Sequence, residues 1–331
     1  MKNPLLKIAA LVAAGALALT GCGGGSTGGS GSSSSDSDTV YKIGISQYVS
    51  HPSLDAAKEG FKQALADAGL KVDYDEQNAQ ADAATVATIS NRFAGDANLD
   101  LVLAIATPSA IGAAQAITDV PVLFTAVTDP VSAELVASNE APGANVTGTT
   151  DMNPVADQIA LIKQVAPDAK TVGIIYSSGE VNSIVQVELA KKAAEKEGLT
   201  IVEKTVAEGN QVLQAAQTLD VDAIYVPTDN LVVNNLESVL QVAEEQKIPV
   251  IVGETDSVKR GGLLTLGLDY HALGVQTGEM AIRILTEGAN PAEMPVEFQK
   301  QAKLVINTAA AERMGITLPQ SLLDKADEKV S

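Results

Sequence analysis

Hydroxyl side chains stand directly after two predicted strands of this chain, where they could bind an anionic group. Thr107 and Ser109 follow an apolar run at 101–106 and begin a helical pattern, and Thr128 follows a second apolar run at 121–125. Hydroxyls next to the free N–H groups of a helix start can hold a carboxylate. For each residue taken alone, helix capping without any ligand is the alternative.

Acids and amides occupy similar positions in the second half of the chain. Asn182, Asp229, Asn230 and Glu254 each come after a predicted strand, and Asp151 lies where we expect the chain to pass between two lobes. Carboxylates in a cleft suit an ammonium group, although each one alone also suits a helix cap. Hydroxyls on one lobe and acids on the other therefore predict a site for a zwitterion such as an amino acid.

Three tyrosines, Tyr48, Tyr176 and Tyr225, lie at or just after strand ends. They could form a partly apolar wall beside a ligand, and for Tyr176 and Tyr225 a place in the strand core is the alternative. His51 also follows the first strand, but a histidine before proline is more typical of a solvated loop than of a ligand contact.

Signals for catalysis and for metal binding are weak. The chain has two histidines and one cysteine, with no zinc spacing, no phosphate-binding loop and no nucleophile elbow. Without a pair of nucleophile and base we expect no enzyme activity, no metal and no cofactor. A hydrolase that uses paired carboxylates is the alternative that the sequence leaves open.

The charge of the chain disfavours nucleic acid as a partner. The formal net charge is −19, and an acidic surface repels phosphate backbones and anionic lipid heads. The absence of tryptophan argues weakly against a sugar ligand, because sugar sites often use aromatic stacking.

Short apolar runs alternate with amphipathic stretches over most of the chain, which predicts an α/β fold. Two doubly wound lobes with parallel sheets are expected, because strand–helix alternation of this length buries a parallel sheet on both faces. Two glycine pairs, Gly44 with Gly69 and Gly173 with Gly198, have the same spacing of 25 residues, as expected for lobes that begin with the same strand–helix unit. The predicted strands are 41–46, 71–75, 101–106, 121–125, 171–176, 200–204, 223–227, 249–252, 263–268 and 302–306. Repeated crossings of the chain between the lobes would form a multi-strand hinge.

The first residues have the pattern of an export signal. Lys2 and Lys7 precede an apolar run at 8–19, which is too short to span a membrane and stops at small residues. The segment 19–22, Leu-Thr-Gly-Cys, resembles the lipobox of bacterial lipoproteins. We therefore expect a signal peptide over 1–21, lipidation at Cys22 and a flexible linker over 22–39, composed after Cys22 almost entirely of Gly, Ser, Thr and Asp. A protein with this start is tethered to the cell membrane on its extracytoplasmic face.

Three segments resemble a known family. Residues 43–57, 124–131 and 145–154 are similar to segments of ABC-transporter substrate-binding lipoproteins of the tryptophan/tyrosine type, and the likeness spans about 40–315. It implies a type I periplasmic-binding-protein fold with an N-terminal lobe over 40–148 plus 270–295, a C-terminal lobe over 149–269 plus 296–318, and a polar tail over 319–331.

The resemblance also implies a function. The protein would capture a small molecule, plausibly an aromatic amino acid, between its lobes and deliver it to the membrane subunits of an ABC permease. Thr107, Ser109 and Thr128 would hold the carboxylate, one of Asp151, Asp229 and Glu254 would hold the ammonium group, and Tyr48 and Asn182 would line the cleft. The alternatives are a ligand-sensing surface lipoprotein that is not coupled to transport, and a different solute such as a purine or a sugar.

Overall fold

The computed structural model describes residues 39–331. The predicted signal peptide, Cys22 and nearly all of the predicted linker lie outside these residues, so the expectations about them stay predictions. Within the described part the strands are, in chain order, β1 (Val40–Gln47), β2 (Lys71–Asn78), β3 (Leu101–Ile105), β4 (Val122–Val127), β5 (Val146–Thr150), β6 (Thr171–Ser177), β7 (Thr200–Val206), β8 (Ala223–Val226), β9 (Val250–Val252), β10 (Leu264–Gly267), β11 (Glu297–Phe298), β12 (Lys303–Asn307) and β13 (Glu328–Val330).

Helices fill most of the intervals between these strands. They are α1 (Pro52–Asp67), α2 (Ala83–Ala94), α3 (Thr107–Ala116), α4 (Val155–Val165), α5 (Val181–Lys196), α6 (Val212–Gln217), α7 (Asn230–Asn234), α8 (Leu236–Gln246), α9 (Thr255–Lys259), α10 (Tyr270–Glu287), α11 (Thr308–Met314) and α12 (Gln320–Leu323). None of the helices within 39–331 is both long enough and apolar enough to cross a membrane.

The strands form two sheets, as the α/β alternation predicted. The first has the order β11-β5-β4-β3-β1-β2, and the second has the order β13-β12-β10-β9-β8-β6-β7. All pairs are parallel except β10 with β12. Every residue of β3 and β4 is buried, as expected for central strands that are covered on both faces. The fold class predicted from the sequence is thereby confirmed.

All ten predicted strands are present, but three more were missed. β5 has the sequence Val-Thr-Gly-Thr-Thr, which lacks an apolar pattern although all five residues are buried. β11 has two residues and β13 has three, and both lie at sheet edges. The segment 319–331, expected as a polar tail, contains α12 and β13, and β13 is held in the second sheet by backbone pairing with β12.

The chain crosses between the sheets three times. It leaves the first sheet after β5, returns after β10 through α10, and leaves again between β11 and β12. These sheet memberships place β5 and β11 with the first lobe, whereas the exact limits of the lobes as domains stay predictions. Crossings of this kind restrict relative motion of the lobes to opening and closing about the connections.

Helix α10 fixes the position of α1 in the first lobe. Its Gly274 faces α1 so closely that a Cβ atom there would lie 1.9 Å from the carbonyl oxygen of Ala57, and a Cβ at Gly60 of α1 would lie 2.1 Å from the carbonyl oxygen of His271. Glycines at this crossing allow the two backbones to touch. The start of α1 is held in place by this contact, and that start faces the second lobe.

Candidate ligand-binding site

A narrow cavity lies where residues after the strands of the two lobes meet, as expected for open parallel sheets. The cavity contains about 300 Å³ of space between atoms, of which about 10 Å³ is open to the centre of a water-sized sphere. The lobes are therefore closed over it. Its lining residues are His51, Ser53, Leu54, Ala126 and Thr128 from the first lobe, Asp151 and Tyr270 from the connections, and Asn182, Thr228, Asp229, Asn230, Val233 and Glu254 from the second lobe.

Asp151 stands in the first connection between the lobes and is 3 % exposed. The Thr128 hydroxyl donates to its Oδ1 at 3.0 Å, and the Tyr270 hydroxyl donates to its Oδ2. Burial raises the pKa of the Asp151 carboxyl, and these two hydroxyl donors oppose the rise. Among residues 39–331 no basic side chain forms an ion pair with it.

Asp229 caps α7 from the second lobe. One of its oxygens accepts from the backbone N–H of Val232 at 2.8 Å, and the other accepts from the N–H of Ser177 at 2.6 Å and the hydroxyl of Ser183 at 2.7 Å. Burial raises its pKa as well, in opposition to these donors. Most of the acceptor capacity of this carboxylate is therefore already used inside its own lobe.

Glu180 lies behind Asp229 and caps the same helix. It accepts from the side-chain amide of Asn230 at 2.5 Å, from that of Asn182 at 3.0 Å, and from the N–H of Leu231 at 3.3 Å. Burial, followed by repulsion from Asp229, raises the pKa of Glu180 to about 8. Two acids thus stand at one short helix on this side of the cavity, and the raised pKa keeps Glu180 mostly protonated at neutral pH.

Glu254 caps α9 in the same way. Its carboxylate accepts from the N–H of Asp256 at 2.6 Å and from the N–H of Ser257 at 2.9 Å. Burial raises its pKa above the ordinary value. Like Asp229, Glu254 lines the cavity while it holds the first turn of a helix.

Two polar side chains that line the cavity have buried polar atoms without a hydrogen-bond partner among the described residues. Asn182 donates to Glu180 and to the carbonyl of Thr228 at 3.1 Å, but its Oδ1 has no donor. His51 is 7 % exposed, and neither its Nδ1 nor its Nε2 has a partner. Burial lowers the pKa of His51 to about 4, so its ring is neutral at ordinary pH. Such groups are costly to bury unless a ligand satisfies them.

The structure brings together six of the nine predicted ligand residues. Thr128, Asp151, Asn182, Asp229, Asn230 and Glu254 line one cavity, as described above. The ligand contacts themselves stay predictions for all nine.

Tyr48, Thr107 and Ser109 do not line the cavity. Thr107 starts α3 with its hydroxyl buried and unpartnered, and the Ser109 hydroxyl lies 3.5 Å from that of Ser46. Tyr48 is half-buried and donates to the carbonyl of Ala81 at 3.1 Å. Burial raises the pKa of Tyr48 to about 12, and repulsion from Glu180 and Asp229 adds to the rise. Tyr48 therefore lies near these two acids although it does not line the cavity.

The other two tyrosines do not form the expected wall. Tyr225 is fully buried and donates to Gln158 at 2.7 Å, and Tyr176 donates to Glu203 at 2.9 Å. Sequence reasoning missed Tyr270 as a lining residue and placed His51 in a solvated loop. Both residues are buried by parts of the chain that are distant in sequence. The residues next to them in the sequence therefore could not predict their burial.

Backbone strain occurs at two strand ends of the first lobe. Ala106 follows β3 with φ 79° and Ala126 lies in β4 with φ 56°. Residues other than glycine rarely adopt such values, and they concentrate at functional sites. Ala126 lines the cavity, so one strained position belongs to the site itself. Among residues 39–331 no cluster of three or more His, Cys, Asp or Glu side chains is arranged to hold a metal ion.

Two α/β lobes with three connections and a polar cavity between them define a type I periplasmic binding protein. Residues 42–330 match the family described as ABC transporter substrate binding protein, and the chain belongs to this family. The family consists of solute-binding proteins and not of enzymes, which confirms the prediction made from the sequence.

Individual relatives are similar over nearly the whole chain. A tyrosine-binding protein of Clostridioides difficile is 44% identical over 312 residues, which cover 91% of this chain and 90% of the relative. A structure from Streptococcus pneumonia, an ABC domain in complex with L-Trp, is 42% identical with a TM-score of 0.85, and the match covers 88% of this chain and 100% of the other.

A third relative differs in the arrangement of its lobes. The ligand-free, open structure of a substrate binding protein with adhesive properties from Clostridium difficile is 43% identical with the same coverage, but its TM-score is 0.66. Because identity and coverage are nearly equal for the two structures, the lower score indicates a different overall arrangement. The lobes of this chain resemble the L-Trp complex more than the open, ligand-free protein.

Proposed function

We propose that this protein captures an aromatic amino acid between its lobes on the extracytoplasmic face of the membrane and delivers it to an ABC permease. The observation that carries the proposal is Asp151, a buried carboxylate that lines the closed interlobe cavity and has no ion-pair partner among residues 39–331. A ligand with an ammonium group would supply the missing positive charge. The relatives named for tyrosine and crystallised with L-Trp support an aromatic side chain.

Among the three acids considered for the ammonium group, Asp151 has the most hydrogen-bond acceptor sites still free. A carboxylate has about four acceptor sites, and Asp151 uses two of them for hydroxyl donors that can rotate. Asp229 and Glu254 are engaged by backbone N–H groups that have no alternative partner. We therefore assign the ammonium group to Asp151, with the other two acids providing a favourable potential.

Of the three hydroxyl residues predicted to hold the ligand carboxylate, Thr128 is the one that lines the cavity. It also donates to Asp151. The role of Thr107 and Ser109 as carboxylate ligands stays a prediction, supported by the unpartnered hydroxyl of Thr107. The apolar part of the ligand would contact Leu54, Ala126 or Val233 in the same cavity, with Tyr48 nearby.

A calorimetric titration tests the ligand class. The purified protein, stripped of bound small molecules, is titrated with L-tyrosine, L-tryptophan, L-phenylalanine and L-leucine, and separately with glucose, inositol and adenine. We expect saturable binding of the aromatic amino acids and none of the sugar, cyclitol or purine. Binding of one of those three compounds, with no heat from any amino acid, would show that the ligand class is wrong.

The attachment to the membrane and the link to transport need separate tests. Lipidation at Cys22 predicts that the unmodified protein fractionates with membranes and that a Cys22→Ala variant does not. Coupling to a permease predicts that loss of the protein abolishes uptake of the ligand at low concentration. Normal uptake in its absence would favour the alternative of a ligand-sensing lipoprotein.

A further inference from the structure

His51 is the last residue before α1, and its imidazole lines the interlobe cavity. The ring is buried and lies close to the side-chain amide of Asn230, but within the described part of the chain neither ring nitrogen forms a hydrogen bond of good geometry. Because a neutral imidazole carries one N–H donor and one acceptor, an unfilled site of this kind leaves two hydrogen bonds unmade. A ligand in the cavity would supply partners for them.

The first turn of α1 adds free donors at the same place. No side chain caps this 16-residue helix, and its first position is Pro52, which has no N–H. The N–H groups of Ser53 and Leu54 have no acceptor within the helix, and both residues line the cavity. The start of a helix also carries partial positive charge.

Charge differs between the two sides of the cavity. Arg260 lies near His51 as a positive charge, although it is paired with Glu237, and it donates to the carbonyl of Val233, another lining residue. Asp55 of α1 is the nearby acid on this side, and it accepts from Gln47 and Ser50. The second lobe and the connections contribute Asp151, Asp229 and Glu254 to the lining. Among the lining residues, those at the start of α1 are therefore the most favourable for an anion.

We propose that His51 and the first turn of α1 form the carboxylate subsite of the ligand cavity, with the imidazole N–H donating to a carboxylate oxygen. This inference rests on the proposed function, because it requires a ligand with both an ammonium and a carboxylate group. It gives the zwitterion a direction: the carboxylate points to the first lobe at α1, and the ammonium group points to Asp151.

The test compares L-tyrosine with tyramine, which lacks the carboxylate. Affinities for both are measured on the unmodified protein and on His51→Phe, His51→Asn and Thr107→Val, with His271→Phe as the matched control because His271 is exposed. We expect His51→Phe to weaken tyrosine about 10- to 100-fold, the usual effect of removing a donor to a charged acceptor, and to leave tyramine unchanged. His51→Asn, which keeps a donor, restores part of the loss.

The competing results are distinct. If His51→Phe leaves the tyrosine-to-tyramine ratio unchanged, or if Thr107→Val alone abolishes the preference for tyrosine, the carboxylate is not at His51 and the subsite is wrong. If the unmodified protein binds no amino acid, the proposed function itself fails.

A measurement on the unmodified protein covers the case that the variants do not fold. Nitrogen resonances of the His51 ring are followed by NMR while tyrosine or tyramine is added. We expect a large shift of one ring nitrogen with tyrosine and a much smaller one with tyramine. Equal shifts with both ligands would contradict the proposal.

Discussion

Replacing Asp151 by asparagine removes the charge that the account assigns to the ligand's ammonium group while it keeps the shape of the side chain. Both neighbours of Asp151, the hydroxyls of Thr128 and Tyr270, can rotate to donate to the amide oxygen or accept from the amide nitrogen. The local structure therefore survives the change, and the effect on ligand binding is electrostatic.

The size of the effect follows from the burial of the site. A hydrogen bond between charged partners contributes roughly 1.5–3 kcal/mol, and loss of one partner of a buried pair costs about 2–5 kcal/mol. Because Asp151 is nearly fully buried, we expect a loss of about 2.7 kcal/mol, which is ~100-fold in Kd.

Stability is expected to change in the opposite direction. Burial raises the pKa of Asp151, so the folded state holds its proton more tightly than the unfolded chain does. The free energy of unfolding then falls as the pH rises from about 4 through the raised pKa. Asparagine removes this dependence, and the ligand-free variant should melt at the same temperature as the unmodified protein or higher at neutral pH.

Calorimetry with L-tyrosine and thermal melting of the ligand-free protein measure both effects. Asp129→Asn is the matched control, since Asp129 caps its own turn next to Thr128 and does not line the cavity; its Kd should not change. If Asp151→Asn binds tyrosine within about threefold of the unmodified protein, the ammonium group is not bound by Asp151 and the reasoning is refuted.

Three further predictions concern stability and protonation. Glu180→Gln should flatten the fall in melting temperature between pH 5 and 9. The folded pKa of about 8 for Glu180 means that the protein loses stability as the pH rises through that window. An unchanged dependence of melting temperature on pH would contradict a raised pKa for this acid. Gly274→Ala should lower the free energy of unfolding by about 3 kcal/mol in urea unfolding, since its Cβ would meet the Ala57 carbonyl. The control Gly95→Ala should have little effect, because a Cβ there would lie 3.6 Å from the nearest carbonyl oxygen. Equal effects of the two substitutions would contradict the close crossing of α1 and α10. In the ligand-free protein the His51 ring should stay neutral down to pH 5 by NMR, because burial lowers its pKa to about 4; protonation near pH 6.5 would mean that the ring is solvated.

Much of the fold could be predicted because the central strands are continuous apolar runs. β3 and β4 are buried on both faces, and such strands differ clearly from the amphipathic helices beside them. β5 escaped prediction because its threonines are buried through hydrogen bonds, as between Thr149 and Thr277 at 2.7 Å. Burial of that kind depends on a partner 128 residues away, which no local pattern contains.

The candidate site could be predicted only in part, for a related reason. Asp229 and Glu254 were predicted near the cavity because parallel sheets place residues after their strands at one edge, and Asp151 because the chain was expected to pass between the lobes there. The sequence could not distinguish a helix cap from a ligand contact, and the structure assigns cap hydrogen bonds to Asp229 and Glu254. His51 was placed in a loop because its burial is produced by the opposite lobe, which only the closed arrangement of the chain brings near.

The most direct test of the central claim is a crystal structure of the protein with bound L-tyrosine. The account predicts closed lobes, the ammonium nitrogen within about 3 Å of a carboxylate oxygen of Asp151, and the carboxylate next to His51 and the first turn of α1. Electron density with the ammonium group at another acid and no contact to Asp151, or with tyrosine bound outside the interlobe cavity, would contradict it.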